Sequence, residues 1–153
     1  MKYWLFKSEP DEYSIADLAA KPAGRGRWDG IRNYQARNIL RDNISKGDLV
    51  FFYHSSCKVP GVAGIAKVVR AAYADPAQFD QQSDYFDGKA TVDNPRWYCV
   101  DISFVEQFDE VVSLKTLRAE AGLSEMVLLR QGRLSVQPVT PAQWQLILLL
   151  AKQ

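Results

Sequence analysis

Apolar and polar positions alternate along this chain in short blocks, and the blocks change period several times. Tyr3-Trp4-Leu5-Phe6 is a short apolar run that breaks at Ser8-Glu9-Pro10, which predicts a buried strand. Ser14 followed by Asp17 has capping-box spacing and predicts a short helix. Residues 21–30 hold Pro22, Gly24, Gly26 and Gly30, which predicts a loop carrying Trp28. Residues 33–43 place Ala36, Ile39 and Leu40 on one helical face, and Gly47 follows.

Strand signals then dominate. Residues 48–53 are rich in β-formers, and residues 62–73 are rich in Val, Ile and Ala, long enough for one bent strand with Gly64 as a bulge. Residues 97–104 set Tyr98, Val100, Ile102 and Phe104 on one face against Asp101 and Ser103 on the other. Ser113 is a candidate helix cap, residues 123–130 have helical character, and residues 133–136 predict a short strand closed by Pro138. Thr140-Pro141-Ala142-Gln143 starts a helix, with Thr at the cap, Pro at the first turn and Gln three residues on. The apolar run that follows predicts a largely buried C-terminal helix. Non-adjacent strands with short helices between them predict an α+β domain around a strongly curved sheet or barrel. Regular β-α alternation is missing, which argues against a doubly wound sheet.

Length and composition narrow the class. With 153 residues, 47% hydrophobic and 24% charged, the chain predicts one ordinary globular domain over residues 1–153. The formal net charge of +1 argues against a general polyanion binder. Its distribution is uneven. Residues 21–41 contain six bases and one acid, whereas residues 75–110 contain nine acids and two bases, so one region can face phosphate while another repels it. Cys57 and Cys99 form no CxxC and imply no zinc or disulfide framework. With no visible targeting segment the expected location is the cytoplasm, and the expected state is a monomer without cofactor, metal or membrane partner.

Familiar catalytic patterns are absent. The single histidine, His54, has Ser55 and Ser56 beside it, but there is no GxSxG elbow, P-loop, GxGxxG or metal-ligand spacing. Four polar-aromatic clusters remain, at expected strand ends or in loops. Lys7-Ser8-Glu9 offers a cation, a hydroxyl and a carboxylate. The segment from Trp28 to Tyr34 offers an indole beside Asp29, Arg32 and Asn33, chemistry suited to stacking a base and reading its edge, although Asn33 also fits a helix cap. Tyr53-His54-Ser55-Ser56 and Arg133-Leu134-Ser135-Val136-Gln137 complete the set. Alternation would place Arg133, Ser135 and Gln137 on one face, either plain surface or a pocket wall.

Tyr3-Trp4-Leu5-Phe6-Lys7-Ser8-Glu9-Pro10 resembles the opening of EVE-domain proteins. So do Trp28-Asp29-Gly30-Ile31-Arg32-Asn33-Tyr34-Gln35-Ala36-Arg37-Asn38, Gly47-Asp48 with Phe52-Tyr53-His54-Ser55, Gly61-Val62-Ala63-Gly64-Ile65-Ala66-Lys67-Val68, Trp97 with Val100-Asp101, and Arg133 to Pro138. Six such stretches in order span nearly the whole chain, departing only in conservative swaps such as Ile31. The resemblance implies a PUA-like curved β-barrel, related to the YTH domains that read methylated adenine in RNA. It implies a nucleic-acid reader, with DNA favoured over RNA, that holds a flipped, modified base, modified cytosine above all. Carried onto this chain, it makes Ser8, Glu9, Trp28, Asp29, Asn33, Tyr34, His54, Ser55, Ser135 and Gln137 base-binding candidates. Lys7, Arg32 and Arg133 become candidates for phosphate or another anion. On this reading Trp28 is an exposed stacking wall. Two alternatives stay open. One is a nucleotide or small-molecule enzyme using His54 and Glu9 as an acid-base pair. The other is a small-ligand or protein-interaction module on the same barrel.

Overall fold

The computed structural model describes residues 1–153. The chain runs β1 (Tyr3–Ser8), α1 (Ile15–Ala20), β2 (Arg25–Trp28), α2 (Tyr34–Asp42), β3 (Leu49–His54), β4 (Gly61–Ala74), β5 (Tyr98–Ser113), α3 (Leu114–Ala119), α4 (Val127–Arg130), β6 (Val136–Val139) and α5 (Pro141–Ala151). The strands form one six-stranded mixed sheet in the order β2-β5-β4-β3-β1-β6. Only β1 and β3 are parallel, with Phe6 opposite Phe52; the crossover between them contains α1, β2 and α2.

The apolar runs of β1 and β3 are buried on both faces, as expected of central parallel strands. Neighbouring side chains point to opposite faces, so Phe6 and Phe52 join one core while Leu5 and Phe51 join the other. The first core is covered by α1 and α2 through Ile15, Leu18, Ala36 and Leu40. The second is covered by α3 and α5, where the Trp144 ring stacks on Phe51 at 3.7 Å and on Tyr3 at 4.6 Å.

The sheet is strongly curled. Trp28 on β2 lies 5.2 Å, ring centre to ring centre, from Phe6 on β1, although three strands separate β2 from β1 in the sheet. Four strand spacings of about 4.8 Å would put them ~19 Å apart in a flat sheet, so the sheet must bend back on itself. Repeated register shifts between β4 and β5 supply the bend. At Gly64, a Cβ would lie 2.3 Å from the Glu106 carbonyl oxygen, so this bulge requires glycine. The barrel does not close: β2 and β6 remain unpaired on their outer edges, which corrects the expectation of a complete barrel.

Most expected elements are present with shifted ends. Ser14 and Thr140 both form full capping boxes, and Asn33 and Ser113 cap α2 and α3. Three expectations are overturned. The glycine-rich segment 21–30 is not all loop, because Arg25–Trp28 pairs with β5 from Ser103 to Val100. Residues 133–135 precede the last strand, and Pro138 lies within it; β6 is an edge strand, where a missing N–H is tolerated. The helix α5 is buried only at Trp144 and Ile147, and Leu149 is 61% exposed.

Candidate nucleic-acid interface

Where the curled sheet fails to close, a cavity of about 930 Å³ opens. Its wall combines the end of β1 (Lys7, Ser8, Glu9), the end of β2 with the turn after it (Arg27 to Ile31), the residues after β3 (Ser55, Ser56) and the approach to β6 (Gly132, Arg133, Ser135). Backbone bonds set this corner: Ser55 N–H donates to Ser8 O and Lys7 N–H to Ser135 O, both at 2.9 Å. The Lys7 ammonium donates to the Gly132 carbonyl. Ser56 holds φ at +52°, a left-handed conformation uncommon for serine, on the cavity wall.

The charge on the wall is balanced. Lys7, Lys21, Arg27 and Arg133 face Glu9, Glu12, Asp29 and Asp84. Such a lining suits a polar, near-neutral ligand with charge at its margin rather than a polyphosphate. Burial holds the Asp29 carboxyl above the usual carboxylate range, with Asp75 adding to the effect and Arg27 opposing it. Burial, then Asp29 and Asp17, push the Tyr13 phenol up to about 12, so its hydroxyl stays protonated.

Three buried side-chain polar atoms have no hydrogen-bond partner within the protein: Tyr13 Oη, Trp28 Nε1 and Gln137 Oε1. Two of them, Tyr13 Oη and Trp28 Nε1, belong to cavity-lining residues in contact with each other, their rings 5.7 Å apart. A buried donor without a partner costs about 1–3 kcal/mol, and such atoms concentrate where a ligand or ordered water completes the network.

The family model for the EVE domain matches residues 2–150. The chain belongs to the EVE domain family. Human thymocyte nuclear protein 1 is 40% identical over 99% of this chain and 74% of that protein; the zebrafish protein of the same name is 41% identical over 98% and 72%. Among solved structures, a Pseudomonas putida protein is 55% identical with a TM-score of 0.93, covering 97% of this chain and 99% of that one. The human THYN1 protein in complex with 5-methylcytosine containing DNA is 39% identical with a TM-score of 0.95, over 100% and 99% of the two chains. An ASCH protein from Zymomonas mobilis, at 13% identity and a TM-score of 0.58, shares the fold alone.

This EVE domain brings together eight of the thirteen residues singled out from sequence: Lys7, Ser8, Glu9, Trp28, Asp29, Ser55, Arg133 and Ser135 all line the cavity. The other five lie outside its wall, each with a partner in the fold. Asn33 caps α2, its Oδ1 accepting from Ala36 N–H at 2.9 Å. Tyr34 stacks on Trp97 at 4.9 Å. His54 Nε2 accepts from Ile15 N–H at 3.1 Å, so His54 and Glu9 are not assembled as an acid-base pair on this wall. Gln137 is fully buried and donates to Leu134 O at 2.7 Å. Arg32 is paired with Asp75 and donates to Tyr85 O. Trp28 is 4% exposed, packed by Phe6, Tyr13 and Phe52, so the expected open stacking face is not observed.

Sequence reasoning missed Glu12, Tyr13, Asp84 and Tyr85 on the same wall, and held Lys21 and Arg27 only as part of the basic stretch 21–41 expected to face phosphate. Tyr13 carried a readable signal, an aromatic immediately before the helix cap Ser14. Tyr85 did not: it belongs to an acidic segment far along the chain, and folding sets its ring against Gly30, where a Cβ would lie 2.9 Å away. No group of three or more His, Cys, Asp or Glu side chains is placed to hold a metal ion. No helix is long and apolar enough to cross a membrane.

Proposed function

We propose that this EVE domain is a DNA reader that takes one flipped base, 5-methylcytosine in the first instance, into the cavity at the open seam of its sheet. The observation that carries the reading is the pair of buried, unpartnered polar atoms, Trp28 Nε1 and Tyr13 Oη, carried by two residues that line that cavity. A base edge presents acceptors that complete both when binding turns these side chains toward the cavity. Tyr85, 40% exposed at the same wall, offers the accessible ring for stacking, which is worth about 1–3 kcal/mol per base. Lys7, Lys21, Arg27 and Arg133 supply phosphate contacts around the mouth. The relative bound to 5-methylcytosine DNA matches this chain from end to end.

Burying one methyl group contributes about 0.8 kcal/mol, less than a tenfold preference. The polar wall selects the base rather than its methyl: it penalises a base whose edge leaves those donors or Asp29 unpaired, while cytosine and 5-methylcytosine share one edge and are told apart by the methyl contact alone. The test is a titration with oligonucleotides carrying one cytosine, 5-methylcytosine, 5-hydroxymethylcytosine or N6-methyladenine. The reading expects tightest binding to 5-methylcytosine. It also expects Trp28→Phe, which keeps a ring in the core but removes the N–H, to lower that affinity about tenfold or more. Equal affinity for all four bases, or an unchanged folded Trp28→Phe variant, would sink it.

A further inference from the structure

A second, smaller recess of about 240 Å³ adjoins the base cavity and shares Gly132 and Arg133 with it. Apart from those two residues it is lined by Asn33, Gln35, Gln131 and Leu134, with no carboxylate, unlike the main cavity. Gln35 and Gln131 are both exposed, and their amides meet in one long hydrogen bond at 3.3 Å, leaving most of their donors and acceptors free. Side-chain amides pair with base edges through one donor and one acceptor. Arg133 stands between the two recesses, and none of the six ion pairs includes it.

The turn that carries this wall is anchored from below. The buried Gln137 side chain donates to Leu134 O at 2.7 Å and to Gln131 O at 3.3 Å, and the Lys7 ammonium donates to Gly132 O. A free cation flanked by two recesses on a pinned turn is the arrangement that two successive nucleotides joined by one phosphate require. Phosphate contacts fix register, and amides at the next position read sequence.

We infer that the Gln35–Gln131 recess is a subsite for the nucleotide next to the flipped base, with Arg133 on the linking phosphate, so that the protein reads the neighbour as well as the modification. This rests on the function proposed above. The experiment measures binding to oligonucleotides with one 5-methylcytosine and each of the four possible neighbours on either side. Matched oligonucleotides with plain cytosine are titrated alongside, using the wild type and the Gln35→Ala/Gln131→Ala double variant. Both glutamines are exposed, and the variant's fold is checked by circular dichroism. The wild type is expected to prefer one neighbour on one side by about tenfold, the discrimination of a good amide–base pair. The double variant is expected to lose that preference while keeping its 5-methylcytosine to cytosine ratio. A neighbour preference that survives in the variant, or a wild type indifferent to neighbours while still selecting the modified base, overturns the subsite alone. Absence of any modified-base selectivity overturns the base-reading function and the subsite with it.

Discussion

Arg32 Nη1 donates to Asp75 Oδ2 at 3.0 Å, and the carboxylate it meets is fully buried. Asp75 also accepts from Gly30 N–H and Ala77 N–H, both at 2.9 Å, while the Arg32 guanidinium donates to the Tyr85 carbonyl and lies over the Tyr85 and Trp97 rings. One ion pair thus ties the turn after β2 to the acidic segment that brings Tyr85 to the cavity. Arg32→Leu is expected to destabilise the fold by about 3 kcal/mol, because it leaves a buried carboxylate without its cation. Arg32→Leu/Asp75→Asn is expected to lose less than Arg32→Leu alone. Urea unfolding of both variants checks this; equal losses would mean the pair is not coupled.

Tyr13 carries a hydroxyl that is buried and unpartnered, with its ring tilted against Trp28. Tyr13→Phe deletes that oxygen and is expected to raise stability by about 1 kcal/mol. The same change should weaken binding of a 5-methylcytosine oligonucleotide, since the hydroxyl is one of the two unpartnered groups carried by cavity-lining residues. Stability and binding moving in opposite directions is the signature of a group kept for a ligand; a destabilised Tyr13→Phe would mean the hydroxyl already has a structural partner.

Burial holds the His54 imidazole below its ordinary value of about 6.5, with Asp17 opposing the shift. Its neutral Nε2 accepts from Ile15 N–H at the start of α1. With the folded value below the unfolded one, the unfolded chain binds more protons as pH falls, so this contribution is complete above ~6.5 and is lost below it. Unfolding midpoints compared at about pH 7.5 and 5.5 should show a smaller acid loss for His54→Gln than for the wild type. An identical pH dependence in the two proteins would remove His54 from the account.

Lys21 is exposed, lines the cavity, and sets its ammonium 5.6 Å from the centre of the Tyr13 ring. Lys21→Ala is expected to weaken all oligonucleotides alike and to lower the slope of log affinity against log salt by about 1. A change in the ratio of modified to plain cytosine binding, with the salt slope unaltered, would place Lys21 on the base instead of on phosphate.

The sequence by itself determined the local structure and the family. Cap residues such as Ser14, Asn33, Ser113 and Thr140 act within one helical turn, so their effect is legible in the residues alone. The apolar runs of β1 and β3, and six motifs in order, likewise marked the sheet and the EVE resemblance. Tertiary structure decided what the side chains face. Trp28 reads as an exposed loop residue until β2 pairs with β5, after which the curl of the sheet drives its ring against Phe6 and Phe52. Arg32 reads as a phosphate contact until folding brings Asp75, 43 residues away, within hydrogen-bond reach. Whether the barrel closes depends on accumulated twist and bulges across six strands, a sum that no single segment encodes. The cavity sits at that unclosed seam, so its wall is drawn from ends of the chain's elements that share no sequence pattern.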